Sequence, residues 1–123
     1  MDKKKTRVFV VNQPMKMDRE TGMTVPFLDL SPAEQFGRLI FLLPDGELQG
    51  TPEEVIQELK DGLKTFTKDD YLLLAGDPRA IAWASVIAAD RVDGDLPMLH
   101  WFRSARCYRS VRYPLRGGKV RAA

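Results

Sequence analysis

One cysteine, Cys107, and one histidine, His100, among 123 residues deprive this chain of several kinds of chemistry. A single thiol closes no internal disulfide, and a single imidazole leaves a zinc cluster or a His-paired nucleophile without the ligands it needs. Long apolar runs are missing as well. The run Leu39-Ile40-Phe41-Leu42-Leu43 is typical, and it falls far short of the roughly 20 residues that cross a bilayer. Lys3, Lys4 and Lys5 make the start basic, but Val8-Phe9-Val10-Val11 is too short for a secretory core and no small-residue cleavage site follows. A cytoplasmic protein without a membrane partner is therefore expected, and no cofactor is expected either.

Negative charge is missing from one end. Residues 101–123 carry seven basic side chains (Arg103, Arg106, Arg109, Arg112, Arg116, Lys119 and Arg121) and no acidic one, interleaved with Trp101, Phe102, Tyr108 and Tyr113. The whole chain is only +2, so the balance lies elsewhere: residues 8–100 hold 8 basic against 16 acidic side chains, or −8, and residues 1–7 add +3. Such asymmetry favours a polyanionic partner for the basic ends, or an acidic one reached by electrostatic steering.

The remaining pattern is architectural. Thr6 to Gln13 is β-branched and aromatic and reads as a buried strand ending at Pro14. Val25 to Leu30 is expected as a short strand returning beside it, held at an edge or bulge by Pro26. Ser31-Pro32-Ala33-Glu34 reads as a helix start in which the Ser31 hydroxyl accepts an amide and Glu34 reaches back, with Gly37 as the stop. Residues 38–43 make the next strand, closed by the turn Pro44-Asp45-Gly46.

Thr51-Pro52-Glu53-Glu54 repeats the capping pattern and opens a helix over 52–66, with Val55, Ile56, Leu59, Leu63 and Phe66 on its apolar face. Tyr71 to Ala75 is a continuous apolar strand. Asp77 and Pro78 cap and open an alanine-rich helix running to Arg91, expected to be central and covered on more than one side. Leu59, Leu63, Leu73 and Ile81 are expected in one core. Residues 96–103 and 108–115 form a hairpin in which Arg109 and Arg112, three apart, project to opposite faces, so that one of them is partly covered. Gly117 and Gly118 then uncouple a mobile basic tail, 117–123, from a single domain spanning 1–116. The order β, helix, β, helix, β predicts an α/β sandwich with a mostly parallel central sheet and a C-terminal antiparallel hairpin.

Gln13-Pro14, Asp29-Leu30-Ser31-Pro32-Ala33, Phe36-Gly37, the block Asp70-Tyr71-Leu72-Leu73-Leu74-Ala75-Gly76-Asp77-Pro78, Ala80-Ile81 and the close from Leu99-His100-Trp101 to Tyr108 resemble a group of small bacteriophage and prophage proteins of unassigned function. The resemblance spans nearly the whole chain. It implies a phage-related origin, a host-cell cytoplasmic setting and a compact domain, and it brings no catalytic residue with it.

Two regions remain as candidate sites. Gly76-Asp77-Pro78-Arg79 sits where α/β folds bind ligands, beyond a strand's carboxyl end at a helix amino terminus, so Gly76 and Arg79 are weak candidates for a phosphate or nucleotide, in an enzyme or sensor. The same tripeptide is what a tight strand-to-helix turn requires, Asp77 repels phosphate, and a phosphate loop normally carries more glycines and a lysine. The structural turn is the favoured reading. Asp69 and Asp70 lie at one end of that strand and Asp77 at the other, too far apart to share a metal ion. His100 is expected as a strand histidine satisfied by a hydrogen bond, and Cys107 as a small turn residue.

The stronger candidate is the basic aromatic hairpin: Arg103, Arg106, Tyr108, Arg109, Arg112, Tyr113 and Arg116. Arginines supply phosphate contacts, and Trp101, Tyr108 and Tyr113 offer faces on which unpaired bases stack. The leading expectation is a non-enzymatic protein that binds nucleic acid. The alternatives are an acidic host protein, met by an inhibitor or adaptor; a neighbouring copy in a homo-oligomer; and a solvated basic surface with no partner.

Overall fold

Val8-Phe9-Val10-Val11 is buried throughout, as a strand covered on both faces at the centre of a parallel sheet must be. The computed structural model of the chain describes residues 6–114 and 121–122. Strand β1 (Arg7–Val10) lies between β4 (Arg38–Phe41) and β5 (Tyr71–Leu73), parallel to both, and β6 (Asp95–Phe102) continues the parallel set beside β5. Strand β7 (Cys107–Pro114) returns antiparallel to β6, and β8 (Arg121–Ala122) runs antiparallel to β7. The sheet order is β4-β1-β5-β6-β7-β8. This is the expected α/β fold, a mostly parallel sheet with an antiparallel C-terminal hairpin.

The alternation of side chains divides the core in two. Phe9, Val11, Leu72, Leu96 and Met98 face helices α1 (Pro52–Gly62) and α2 (Pro78–Arg91), whose Val55, Leu59, Ala80, Ala84 and Ala88 complete that layer. Val8, Val10, Leu73, Leu99 and Tyr108 face the other way, where, among the described residues, Leu30, Ala33 and Phe36 cover them. The last two belong to a short 3-10 helix, Ser31–Phe36. Chain direction across the sheet explains this split. From β1 the chain steps one way to β4 and then back past β1 to β5, so right-handed crossovers must lie on opposite faces.

Both helix starts form as their residues require. The Thr51 hydroxyl accepts the amide of Glu54 at 3.2 Å, and the Glu54 carboxylate accepts the amide of Thr51 at 2.8 Å. At α2 the Asp77 carboxylate accepts the amide of Arg79 at 2.8 Å, with Pro78 as first helical residue.

The structure corrects several expectations. Helix α1 ends at Gly62 rather than 66; a poor helix former there lets the chain turn so that the Phe66 ring meets Phe9 edge-on, 5.5 Å between centroids. Leu73 does not join Leu59, Leu63 and Ile81, because strand alternation sends Leu72 toward the helices and Leu73 to the opposite core. Residues 25–30 do not return beside β1, whose two edges are taken by β4 and β5. Instead β3 (Thr24–Pro26) pairs with β2 (Met15–Met17) in a separate antiparallel ribbon. Ser31 does not cap: its hydroxyl donates to Asp29 Oδ1 at 2.7 Å, and no side chain caps the 3-10 helix. Helix α2 packs against both the sheet and α1, as expected, but leaves one side open to water, where Val86 is 71% exposed.

Candidate functional site

Strands β6 and β7 are in register from Asp95↔Pro114 to Phe102↔Cys107, and residues 103–106 form the connecting turn. Arg106 N donates to Arg103 O at 3.2 Å, and Arg106 takes a left-handed φ of 52°. Because β6 is parallel to β5, this turn projects at the carboxyl end of the parallel strands. Arg103, Arg106 and Arg109 are all exposed there. No ion pair joins any of the three to a carboxylate among the described residues.

The fourth hairpin arginine is placed differently. Arg112 sits near the far end of β7, where its guanidinium donates to Lys68 O at 2.8 Å and lies 3.9 Å from Asp95 Oδ2. It is the partly covered member of the pair, as the three-residue spacing from Arg109 predicts. The side chain of Tyr113 and the whole of Arg116 lie outside the described residues, as do 117–120 and 123 of the expected mobile tail. Arg121 and Ala122 are described, paired with Arg112 and Val111.

Aromatic side chains flank the tip on both faces. On one, Trp101 is 43% exposed and rests edge-on against Tyr108, 5.0 Å between centroids, while Tyr108 itself is only 6% exposed. Burial, and secondarily the negative charge of Asp29, raise the Tyr108 phenol above its ordinary pKa. Tyr108 therefore anchors Trp101 and presents little face of its own. On the other side the Arg109 guanidinium lies over the Phe102 ring, 4.4 Å from its centroid, and Phe102 stacks at a tilt on His100 at 4.6 Å. His100 Nε2 is buried without a hydrogen-bond partner among the described residues, so the hydrogen bond expected to satisfy it does not form at that nitrogen.

The second candidate lies between β1 and β5, the switch point where connections leave on opposite faces and α/β proteins hold ligands. Asn12, buried, fills it. Its Oδ1 accepts the amide of Asp77 at 3.0 Å, its Nδ2 donates to Gly46 O at 2.7 Å, and its amide donates to Ala75 O at 3.1 Å. Gly76 is shaped around this side chain: at φ 127° its missing Cβ would lie 1.9 Å from Asn12 Oδ1. Arg79 folds back on Asp77, with Nε 3.3 Å from Oδ1. That hydrogen bond is the leading cause that holds the Asp77 carboxyl below its ordinary pKa. Thus the groups of this turn bind one another. Among the described residues no three His, Cys, Asp or Glu side chains gather to hold a metal ion, and no helix is long and apolar enough to cross a membrane.

A family model described as "Phage Pam3 gp32-like protein" matches residues 6–115. The chain belongs to the phage Pam3 gp32-like protein family. The match takes in the whole sheet from β1 to β7, both helices and the hairpin tip, so these are features of a phage family fold. No curated protein and no solved structure matches the chain.

Two features escaped sequence reasoning. Asn12 looked like the end of a strand, and only the three-dimensional closeness of Gly46 and Gly76 gives it a role. The exposed apolar side chains Met17, Met23, Phe27 and Phe41 stood in segments read for their turns and strand faces. Their signal was an apolar residue in an otherwise polar stretch.

Proposed function

We propose that this phage protein acts by binding, and that its ligand is unpaired nucleic acid held without sequence preference at the tip of the β6–β7 hairpin. The observation that carries the proposal is one hairpin tip that holds Arg103, Arg106 and Arg109, exposed and unpaired with described carboxylates, and on one of its faces the half-exposed Trp101 ring. Guanidinium groups contact phosphates whatever the sequence, and an indole held at a fixed angle by Tyr108 offers a stacking face to any base. A phage protein of this kind works in the host cytoplasm, where single-stranded intermediates are accessible. Titration of labelled single- and double-stranded oligonucleotides, followed by fluorescence anisotropy, tests it. Binding of the single strand, weakened more by Trp101→Ala than duplex binding is, supports the reading. Failure to bind either at low salt removes it.

A second reading, a host-directed inhibitor or adaptor, is favoured by the β2–β3 ribbon and the segment after it, where Met17, Met23 and Phe27 stand exposed. Exposed apolar side chains grouped in one region mark protein contacts. Capture of a host protein that survives nuclease treatment and is lost with Met17→Ser and Phe27→Ser supports this alternative.

A further inference from the structure

Strand β4 pairs with β1 on one side and with no described strand on the other, which makes it one edge of the sheet. The hydrogen bonds from Arg38 N to Thr6 O and from Leu42 N to Val10 O show that the even-numbered residues face β1. By alternation the N–H and C=O groups of Leu39 and Phe41 point outward. Natural proteins blunt such edges with charge, proline or a covering segment. Here Arg38 is the only charge in the strand, no proline interrupts it, and Phe41 at its end is 45% exposed.

We propose that this edge is a self-association site, and that its occupant is the β4 strand of a second copy, running antiparallel about a two-fold axis at Ile40. The outward groups select the register. With Ile40 opposite its own counterpart, Leu39 of each copy faces Phe41 of the other, and each of these two pairs exchanges both of its backbone hydrogen bonds. This register also keeps faces matched. Leu39 and Phe41 lie on the thinly covered face of the sheet, beside an open cleft of about 660 Å³ whose lining includes Leu30 and Phe27. The second copy's Phe41 lies over Leu39 at that cleft, an aromatic–aliphatic cross-strand pair.

Charge agrees with the same register. Arg38 is exposed on the helical face, and its place opposite is Leu42 of the other copy. The Leu42 side chain lies against Gly62, at the carboxyl end of α1 beside the exposed Asp61; a Cβ added there would be 2.7 Å from Leu42 Cδ2. Each Arg38 thus approaches the negative end of the other copy's α1, where both the helix dipole and Asp61 attract a cation. The arrangement is isologous and closes as a dimer with a sheet continuous through both copies. It uses the edge opposite to the β7–β8 side of the sheet, so it does not rest on the nucleic-acid reading, and either can fail alone.

The test is light scattering on the full chain eluting from a sizing column over a concentration series, for wild type, Phe41→Lys, Arg38→Glu, Asp61→Arg and the charge-swapped double variant. Circular dichroism confirms that each is folded. A concentration-dependent dimer is expected, with its dissociation constant raised about tenfold or more by Phe41→Lys, since the cross-strand pair is lost twice. Arg38→Glu and Asp61→Arg each weaken the dimer, and the double variant restores it. A wild-type chain that stays monomeric at the highest soluble concentration overturns the proposal and leaves the edge to some other strand. So does a dimer indifferent to Phe41→Lys, or single charge variants that the swap does not rescue.

Discussion

Asn12 and Gly76 fit one another as plug and socket: the Asn12 carboxamide oxygen occupies the space that a Cβ on residue 76 would enter, 1.9 Å from it, and accepts the next amide, Asp77 N–H, at 3.0 Å. One side chain thereby joins the ends of β1 and β5 and the turn at Gly46. At this switch point between β1 and β5 the chain's own groups hydrogen-bond one another.

That joint makes the first prediction. Asn12→Ala leaves Gly46 O and Asp77 N–H without their partner and is expected to cost about 1–3 kcal/mol. Gly76→Ala, which combines a left-handed φ with a direct clash, is expected to cost more. Urea denaturation midpoints at unchanged m-value give both numbers.

The α2 cap makes the second. Asp77→Ala is expected to lower stability by about 1 kcal/mol through loss of the hydrogen bond to Arg79 N. The Asp77 carboxyl is held below its ordinary 3.8 in the folded chain. Its contribution is therefore full above the unfolded value and drains as pH falls through the lower folded one. Wild type and Asp77→Asn, compared by thermal melting from pH 6 to pH 2, should converge toward the acid end.

At the amino end of the sheet Arg7 makes a two-point contact with Asp70, Nε to Oδ1 at 3.0 Å and Nη2 to Oδ2 at 2.8 Å, and Thr67 donates twice more to Oδ2. Asp70 is buried while Arg7 keeps some contact with water. Arg7→Met strands a buried carboxylate and is expected to cost about 3 kcal/mol, the lower end for a broken buried pair because Arg7 is not fully desolvated. Equilibrium unfolding measures it.

Much of this fold was legible because its signals are local. Thr51 with Glu54, Asp77 with Pro78, and the buried run at Val8–Val11 each specify an element within a few residues. What the sequence left open depends on contacts between distant segments. The strand-like residues 25–30 lack a place beside β1 only because β4 and β5 hold both edges, and Leu73 parts from Leu59 because two opposite cores exist. The hairpin was legible in its charge, and the spacing of Arg109 and Arg112 foretold that one would be covered. That the covered one is Arg112, and that Tyr108 is buried beside a half-exposed Trp101, follows from where Lys68, Asp95 and the 3-10 helix sit. No local pattern carries that information.

Arg112 supplies a contrast within the hairpin. With its guanidinium bound to Lys68 O, Arg112→Ala is expected to lower the melting temperature by a few degrees, as a loss of roughly 1 kcal/mol does in a domain of this size, and to leave oligonucleotide affinity close to wild type. Differential scanning calorimetry and anisotropy on the same preparation separate the two effects.

The most direct test of the account is the salt dependence of single-strand binding by wild type and the triple variant Arg103→Ala, Arg106→Ala, Arg109→Ala. Each phosphate contact releases counterions and adds about 0.7 to the slope of log K against log salt for single strands. Anisotropy over a salt series is predicted to show a steep linear decline for wild type, and a slope shallower by as much as about 2 with weaker affinity for the triple variant. Equal slopes and equal affinities in two folded proteins would contradict it, as would a wild-type chain that binds no oligonucleotide at low salt.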